Sequence, residues 1–257
     1  MRFPMIDREE AVTRFYQLLD RAAPLRVMRL LGKAKMGKTH LLTKVFPRLA
    51  EQVARCAVLD LRNTQQTIII HLHTACGQLG RNDFPMFDRA YTDWINQPQI
   101  QVYGLSAWFS IISARSRSKE DDITRVIPHL TRCFVDDLRR LDDQLLVLIF
   151  DQVDDAASET QTWLMDTLLG QIQELAHVRV VVGGRIIPEA LGSYARLCWS
   201  YELPPVREES AYIAYCKEIG ANLGEQSIRD FARAFHYAPG AFAEIVHTFV
   251  SKGLSHG

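Results

Sequence analysis

The chain reads as an α/β protein: a central parallel sheet flanked by helices, followed by a small C-terminal helical domain. Three segments of the 257-residue sequence carry that expectation. The first is Gly32-Lys33-Ala34-Lys35-Met36-Gly37-Lys38-Thr39, a complete G-x-x-x-x-G-K-[ST] pattern between an apolar segment and a helical one. The second is Leu145–Phe150, six consecutive apolar residues closed by Asp151. The third is Val178-Arg179-Val180-Val181-Val182, closed by Gly183, Gly184 and Arg185. Apolar runs of strand length, separated by helical stretches and ending in turns, build a parallel sheet covered on both faces. Such sheets bind ligands outside the carboxyl ends of their strands, where all three turns fall.

Taken in order, Leu25–Leu31 is expected to form the first strand. His40–Phe46 is expected to form the helix after it, ending near Pro47, because proline lacks the amide a helix interior needs. The turn between them is a phosphate-binding loop, which makes the predicted fold a P-loop NTPase. Its glycines let backbone N–H groups curl around a β-phosphate, and the helix N-terminus adds partial positive charge. Gly32, Lys35, Met36, Gly37, Lys38, Thr39 and His40 are the candidate nucleotide-binding residues of this segment. Lys38 is expected to reach the β- and γ-phosphates, and the Thr39 hydroxyl to hold Mg²⁺. Nothing resembles the N-K-x-D guanine-reading signature, so ATP or ADP is expected rather than GTP.

Arg55–Leu61 reads as a second strand and the stretch from Thr64 to Gly80 as a helix. Residues 81–101, with Pro85 and Pro98, are expected to be irregular or only partly helical. Leu105–Ala114 is a short apolar segment and Arg115–Asp122 an exposed charged loop. The spacing of Ile127, Leu130, Phe134, Val135 and Leu138 predicts a helix over 123–141. Phe84, Phe87, Tyr91, Trp94, Tyr103, Trp108 and Phe109 fit either an interface or ordinary core, with Trp108 and Phe109 read as core.

Asp151, at the end of a buried strand beside the phosphate loop, is the candidate Mg²⁺ acid, with Thr39 opposite. Many hydrolysing sites of this architecture place a glutamate next, to orient water; here the next residue is Gln152. Asp154 or Asp155 could serve instead through a water, or could cap the helix beginning near Ser158. Arg185 is expected to project toward the γ-phosphate from a strand tip whose glycines let the backbone approach the ligand.

Thirty basic and thirty acidic residues balance, so composition gives no global electrostatic case for nucleic acid or an anionic membrane. No stretch reaches the roughly 18 apolar residues that a spanning helix needs. Met1–Glu10 lacks the apolar run of a signal peptide, and a cytoplasmic location is expected. Cys56, Cys76, Cys133, Cys198 and Cys216 are scattered and read as reduced core residues. His71 and His73 alternate near Cys76 without a second ligand cluster, so no zinc site is expected there.

Four features in this order resemble the STAND class of AAA+-related P-loop ATPases, which includes the NB-ARC and NACHT switches. Ile6-Asp7-Arg8-Glu9-Glu10 is similar to that class's F-x-x-R-E-x-E lead-in, which packs near the adenine base and so implies a cofactor contact for Arg8. The phosphate loop and the strand ending in Asp151, Asp154 and Asp155 follow, with Arg185 where the class has its sensor arginine. Tyr201–Ala211 is similar to the L-x-P-L-x-x-x-E-A segment that opens the small helical domain. The resemblance thus implies an ATPase domain over residues 1–200 and a helical lid over 201–257. Tyr237-Ala238-Pro239-Gly240 is similar to the G-x-P turn whose proline approaches the base, although Tyr237 stands where that motif has its glycine.

Residues 81–119 have no counterpart in the class and read as an insertion. Members of the class carry a winged helix and sensor repeats after the lid. The chain is therefore expected to be a trimmed piece, a stand-alone subunit, or a part with its effector on another protein chain. The leading functional expectation is a nucleotide-controlled signalling switch with slow Mg²⁺-dependent ATP hydrolysis, assembling into a homo-oligomer in its ATP state. The alternative is an AAA+ loader acting on nucleic acid, as in origin recognition; the third is a domain keeping nucleotide as a folding ligand. An arginine acting in trans is open among Arg115, Arg117, Arg125, Arg132, Arg139 and Arg140.

Overall fold

The computed structural model describes residues 5–62, 67–96, 117–189 and 192–251. Five strands, β1 (Val27–Leu31), β2 (Ala54–Asp60), β3 (Leu145–Asp151), β4 (Val178–Gly184) and β5 (Cys198–Glu202), form one sheet. All pairings are parallel and the order is β2-β3-β4-β1-β5. β3 and β4 are buried at every residue, which is why both read as unbroken apolar runs. The edge strands β2 and β5 are only partly buried, and the polar residues of β5 concealed it in the sequence.

Helices cover both faces. On one side α1 (Glu9–Leu19) and α2 (38–50) pack Phe15, Leu41, Leu42 and Phe46 against Leu145, Val147 and Ile149 of β3. Phe15 and Phe46 stack with ring centroids 4.2 Å apart. On the other side lie α3 (Ile68–Gly80), α4 (Pro85–Ile95), α5 (Arg117–Arg139) and α6 (158–172). Their Leu72, Phe87, Phe134 and Trp163 meet Leu146, Leu148 and Phe150, the alternate residues of β3. Each such side chain contributes about 1.5–3 kcal/mol by leaving water. Three C-terminal helices, α7 (Glu209–Glu218), α8 (Glu225–Ala234) and α9 (Pro239–Ser251), close around their own cluster of Tyr212, Phe242 and Val246.

Arg179, the one charged residue inside β4, is fully buried. Its guanidinium donates to the carbonyls of Leu18 (2.6 Å), Ala176 (2.7 Å) and Asp20 (2.8 Å). A helix C-terminus presents unsatisfied carbonyls and partial negative charge, so Arg179 secures the end of α1 to the sheet. Burial lowers its pKa to about 10, which leaves it charged at neutral pH.

Several expectations need correction. α2 does not end near Pro47 but runs to Ala50. Its middle, Leu41–Val45, is wound as a π turn in which the Phe46 amide reaches back to the Leu41 carbonyl, and the shifted bonding accommodates the proline. Residues 81–96 are mostly helical: a short 3₁₀ turn, Arg81–Asp83, leads into α4 with Pro85 in its first turn. The buried Asp137 carboxylate of α5 accepts the amides of Met86 (3.3 Å) and Phe87 (2.8 Å), capping α4 from another helix. Phe84, Phe87 and Trp94 are core residues, Tyr91 packs against them, and Tyr103, Trp108, Phe109, Pro98 and Leu105–Ala114 lie outside the described residues. Residues 117–122, expected as a loop, begin α5. The helix expected from Thr64 starts at Ile68. Cys76, Cys133 and Cys216 are buried, Cys56 and Cys198 partly so, and all five are free thiols. Among the described residues no group of three or more His, Cys, Asp or Glu side chains gathers as a metal site, and no helix is long and apolar enough to cross a membrane.

Candidate functional site

The site forms where β1, β3 and β4 end together. β4 lies between the other two, so the loop leaving β1 and Asp151 closing β3 face each other across one strand width. Gly37, with φ of 90°, turns the loop into the first residue of α2, a conformation that favours glycine. Lys35 also adopts positive φ, 65°. The Lys38 ammonium sits within the loop, donating to the carbonyls of Gly32 and of Lys33 (2.9 Å). Burial lowers its pKa, while the charges of Asp154 and Asp151 oppose that shift. Met36 turns inward to the core, its carbonyl accepting Arg8 Nη2 at 2.9 Å; Thr39 and His40 are exposed at the start of α2.

Asp151 is fully buried, and neither carboxylate oxygen has a hydrogen-bond partner. Burial raises its pKa; the nearby Thr39 hydroxyl opposes the rise, although it stands outside hydrogen-bonding geometry. A bare, buried carboxylate beside a hydroxyl has the hard-oxygen chemistry that Mg²⁺ selects. The residues present therefore fit the metal, with Thr39 and Asp151 as the protein groups that would hold it.

Gly183 and Gly184 make room for neighbouring protein side chains. A Cβ on Gly183 would lie 2.2 Å from Leu42 Cδ1, and one on Gly184 would lie 2.8 Å from Asp154 Oδ1. The glycine pair thus lets α2 and the turn after β3 close over the tip of β4. In that turn Asp154 and Asp155 do not cap α6, whose N-cap Ala157 has no side-chain cap bond. Both instead bind Arg185: its Nε meets Asp154, its Nη2 meets Asp155, and its backbone amide donates to Asp154 Oδ1 at 2.8 Å. Burial alone would raise the Asp154 pKa, but the hydrogen bonds from Arg185 hold it below the usual carboxylate value.

The network continues outward. Gln152, in left-handed conformation with φ of 61°, has its amide between Arg62 and Asp155; with the amide oxygen assigned to the Arg62 side it accepts Nε (2.8 Å) and the nitrogen donates to Asp155 Oδ2 (3.2 Å). Arg62 Nη2 binds Asp60 Oδ2 at 2.6 Å. An unbroken polar chain, Asp60–Arg62–Gln152–Asp155–Arg185–Asp154, therefore runs along the carboxyl edge from β2 to β4.

The family search fits this geometry: residues 4–182, well over half of the chain, match the family described as AAA ATPase domain. The chain belongs to that family. Solved structures with the same fold include a Walker-type ATPase of Pyrococcus abyssi, at TM-score 0.57 and 15% identity, covering 97% of this chain and 69% of that one. Cdc6p from Pyrobaculum aerophilum aligns at TM-score 0.58 and 13% identity, over 98% of this chain and 64% of its own. A chain of the Drosophila ORC bound to DNA aligns at TM-score 0.50 and 15% identity, over 94% and 59%. The chain thus spans about three-fifths of the last two. Among curated proteins the sequence has no match.

In this AAA ATPase domain the predicted residues separate into two groups. Lys38, Thr39, Asp151, Asp154, Asp155 and Arg185 converge around the ends of β1, β3 and β4. Arg8 and Pro239 lie at the loop's outer side, where the C-terminal helices dock. Arg8, 7% exposed, bridges the carbonyls of Met36 and Pro204 (3.0 Å). Pro239 opens α9, whose Gly240 amide donates to the Lys35 carbonyl at 2.7 Å, while Lys35 and Glu244 form an ion pair. Arg115 lies outside the described residues; Arg125 and Arg132 are exposed on α5. Asp60 and Arg62 were missed by sequence reasoning. Asp60 lay next to the end of a predicted strand, but strand order, which sets its neighbour, was not visible.

Proposed function

We propose that this AAA ATPase domain binds ATP with Mg²⁺ and hydrolyses it slowly, its nucleotide state setting how α9 docks on the phosphate loop. The observation that carries the reading is the bare Asp151 carboxylate buried beside Thr39 and Lys38. Lys38 would move from the loop carbonyls to the β- and γ-phosphates, and Arg8 would hold the loop from behind. Mg²⁺, when bound, supplies positive charge that neutralises the phosphate oxygens as the terminal group leaves. Arg185 stands at the γ-phosphate side with its guanidinium held flat by two aspartates, ready to read that group. Equilibrium titration with fluorescent ATP and ADP analogues, together with phosphate release, tests the proposal. Micromolar binding that needs Lys38, with Mg²⁺-dependent turnover, is expected; absence of binding would end it.

We further propose that the domain serves within a larger assembly on DNA. The likeness to Cdc6p and to a DNA-bound ORC chain supports this setting over a signalling switch. The balanced net charge means that any DNA contact would need a local basic patch or a partner chain. The signalling-switch reading rests on the ordered resemblance of the Arg8 lead-in, the phosphate loop, the Asp151 strand with Arg185 and the segment from Tyr201. ATP-dependent retention of duplex DNA, read by fluorescence anisotropy at two salt concentrations, favours the loader. ATP-dependent self-association in analytical ultracentrifugation without DNA binding favours the switch.

A further inference from the structure

The residue after Asp151 is an amide, and the two carboxylates that follow it are occupied by Arg185. Gln152 cannot take a proton, and its own amide is held between Arg62 and Asp155. The Asp154 side chain is 11% exposed and, like Asp155, ion-paired to Arg185. One further acid stands on this edge, ion-paired to Arg62 rather than to Arg185. Asp60 closes β2 in direct register with Asp151, and its side chain is 43% exposed.

Strand alternation decides which way Asp60 points. Ala54, Cys56 and Val58 of β2 pack with the cluster that holds Leu145, Val147 and Ile149, on the face covered by α2. Ala57 and Leu59 pack on the opposite face. Asp60 continues the first series, so it shares with Asp151 the face that carries the phosphate-loop helix. Arg62 fixes it there: Nη2 donates to Oδ2 at 2.6 Å, Nε to Oδ1 at 3.3 Å, and the Arg62 amide to Oδ1 at 3.0 Å.

We propose that Asp60 orients the attacking water and accepts its proton, a task moved from the β3 turn to the tip of β2, with Arg62 as its positioning residue. The step rests on the ATPase reading above. The water oxygen forms a bond to the γ-phosphorus as the bond from that phosphorus to the β–γ bridging oxygen breaks. The bond's electron pair leaves with ADP, and the water proton passes to Asp60 and then to the medium, giving ADP, phosphate and H⁺. Gln152 joins Arg62 to Asp155, and thereby to Arg185, so the water-orienting acid and the γ-phosphate arginine sit in one hydrogen-bonded frame.

The test compares Asp60→Asn, Asp154→Asn and Asp155→Asn in the full chain, with nucleotide affinity and single-turnover hydrolysis measured on each. Asp60→Asn is nearly isosteric and is expected to bind ATP within about threefold of wild type while hydrolysis falls about 100-fold or more, the scale of a lost general base. Asp60→Glu should recover part of the rate. Arg62→Gln should lower kcat about tenfold with little change in KM, and Arg62→Lys should restore some of it. Wild-type hydrolysis in Asp60→Asn, or a 100-fold loss confined to Asp155→Asn or Asp154→Asn, overturns the assignment while leaving the ATPase reading intact. A wild-type chain that binds ATP and never turns it over removes both together.

Discussion

The amide of Gly240 meets the carbonyl of Lys35 at 2.7 Å, joining the first turn of the last helix to the middle of the phosphate loop across 205 positions of sequence. A Cβ on Gly240 would lie 2.6 Å from the Lys35 oxygen and 3.0 Å from its carbonyl carbon. Backbone, unlike a side-chain tip, cannot swing aside. Gly240→Ala should therefore push α9 off the loop and cost about 1–3 kcal/mol, as overpacking does. Melting by differential scanning calorimetry should drop several degrees, and nucleotide dissociation in stopped flow should quicken. Unchanged melting and dissociation would mean that the contact contributes nothing.

Lys38→Ala should leave the fold intact and remove nucleotide binding. The side chain is only half-buried, within a surface loop, and contributes little packing. Its loss removes a charged partner of the phosphates, worth about 1.5–3 kcal/mol per charge-assisted contact. Affinity for a fluorescent ATP analogue should fall at least tenfold while circular dichroism stays unchanged. Equal affinity would contradict the phosphate-loop assignment.

Asp151→Asn should have two effects of opposite sign. Without nucleotide, the wild-type carboxylate is buried, unpartnered and shifted to higher pKa by burial. A carboxyl with a raised folded-state pKa costs stability as pH rises above its unfolded value, so the neutral amide should raise the melting temperature at pH 7. The same change should weaken Mg²⁺-dependent nucleotide binding about 10- to 100-fold. A variant that melts lower and titrates Mg²⁺ like wild type would place the metal acid elsewhere.

His71 makes stability depend on pH. It is 2% exposed on α3, and burial lowers its pKa from 6.5 to about 4, with Asp60 opposing. The folded state keeps the ring neutral while the unfolded chain binds a proton below pH 6.5. Stability from this group is therefore complete above pH 6.5 and lost as pH falls toward 4. The full loss is about 3 kcal/mol, from 1.36 kcal/mol per pKa unit. Urea titrations of wild type and His71→Gln between pH 7 and 4 check this. The variant should show the shallower dependence, and parallel curves would remove His71 as the cause.

Much of the local structure was legible because its signals are local. The apolar run before Asp151 announces a strand buried on both faces, and Gly37-Lys38-Thr39 announces a loop that must turn into a helix. The misread segments have non-local causes. Proline-marked residues 81–96 are helical because Asp137, some fifty positions later, caps α4. Pro47 continues α2 because a π turn shifts the bonding ahead of it. The glycines at the tip of β4 take on a packing role that the sequence does not announce, since Leu42 and Asp154 arrive from two other elements.

By itself the sequence determined the phosphate loop, the acid that ends β3, the arginine that ends β4 and the α/β class, since each depends on residue type and short-range periodicity. Tertiary structure alone decided which charges meet. Placing β4 between β1 and β3 brings Arg185 against Asp154 and Asp155, and parallel register sets Asp60 beside Asp151. Docking of α9 brings Gly240 and Glu244 to Lys35. Periodicity reports which face of an element is buried, but not which element lies next to it. The choice of neighbour is made by packing over the whole core, and the chemistry of this site lies between neighbours.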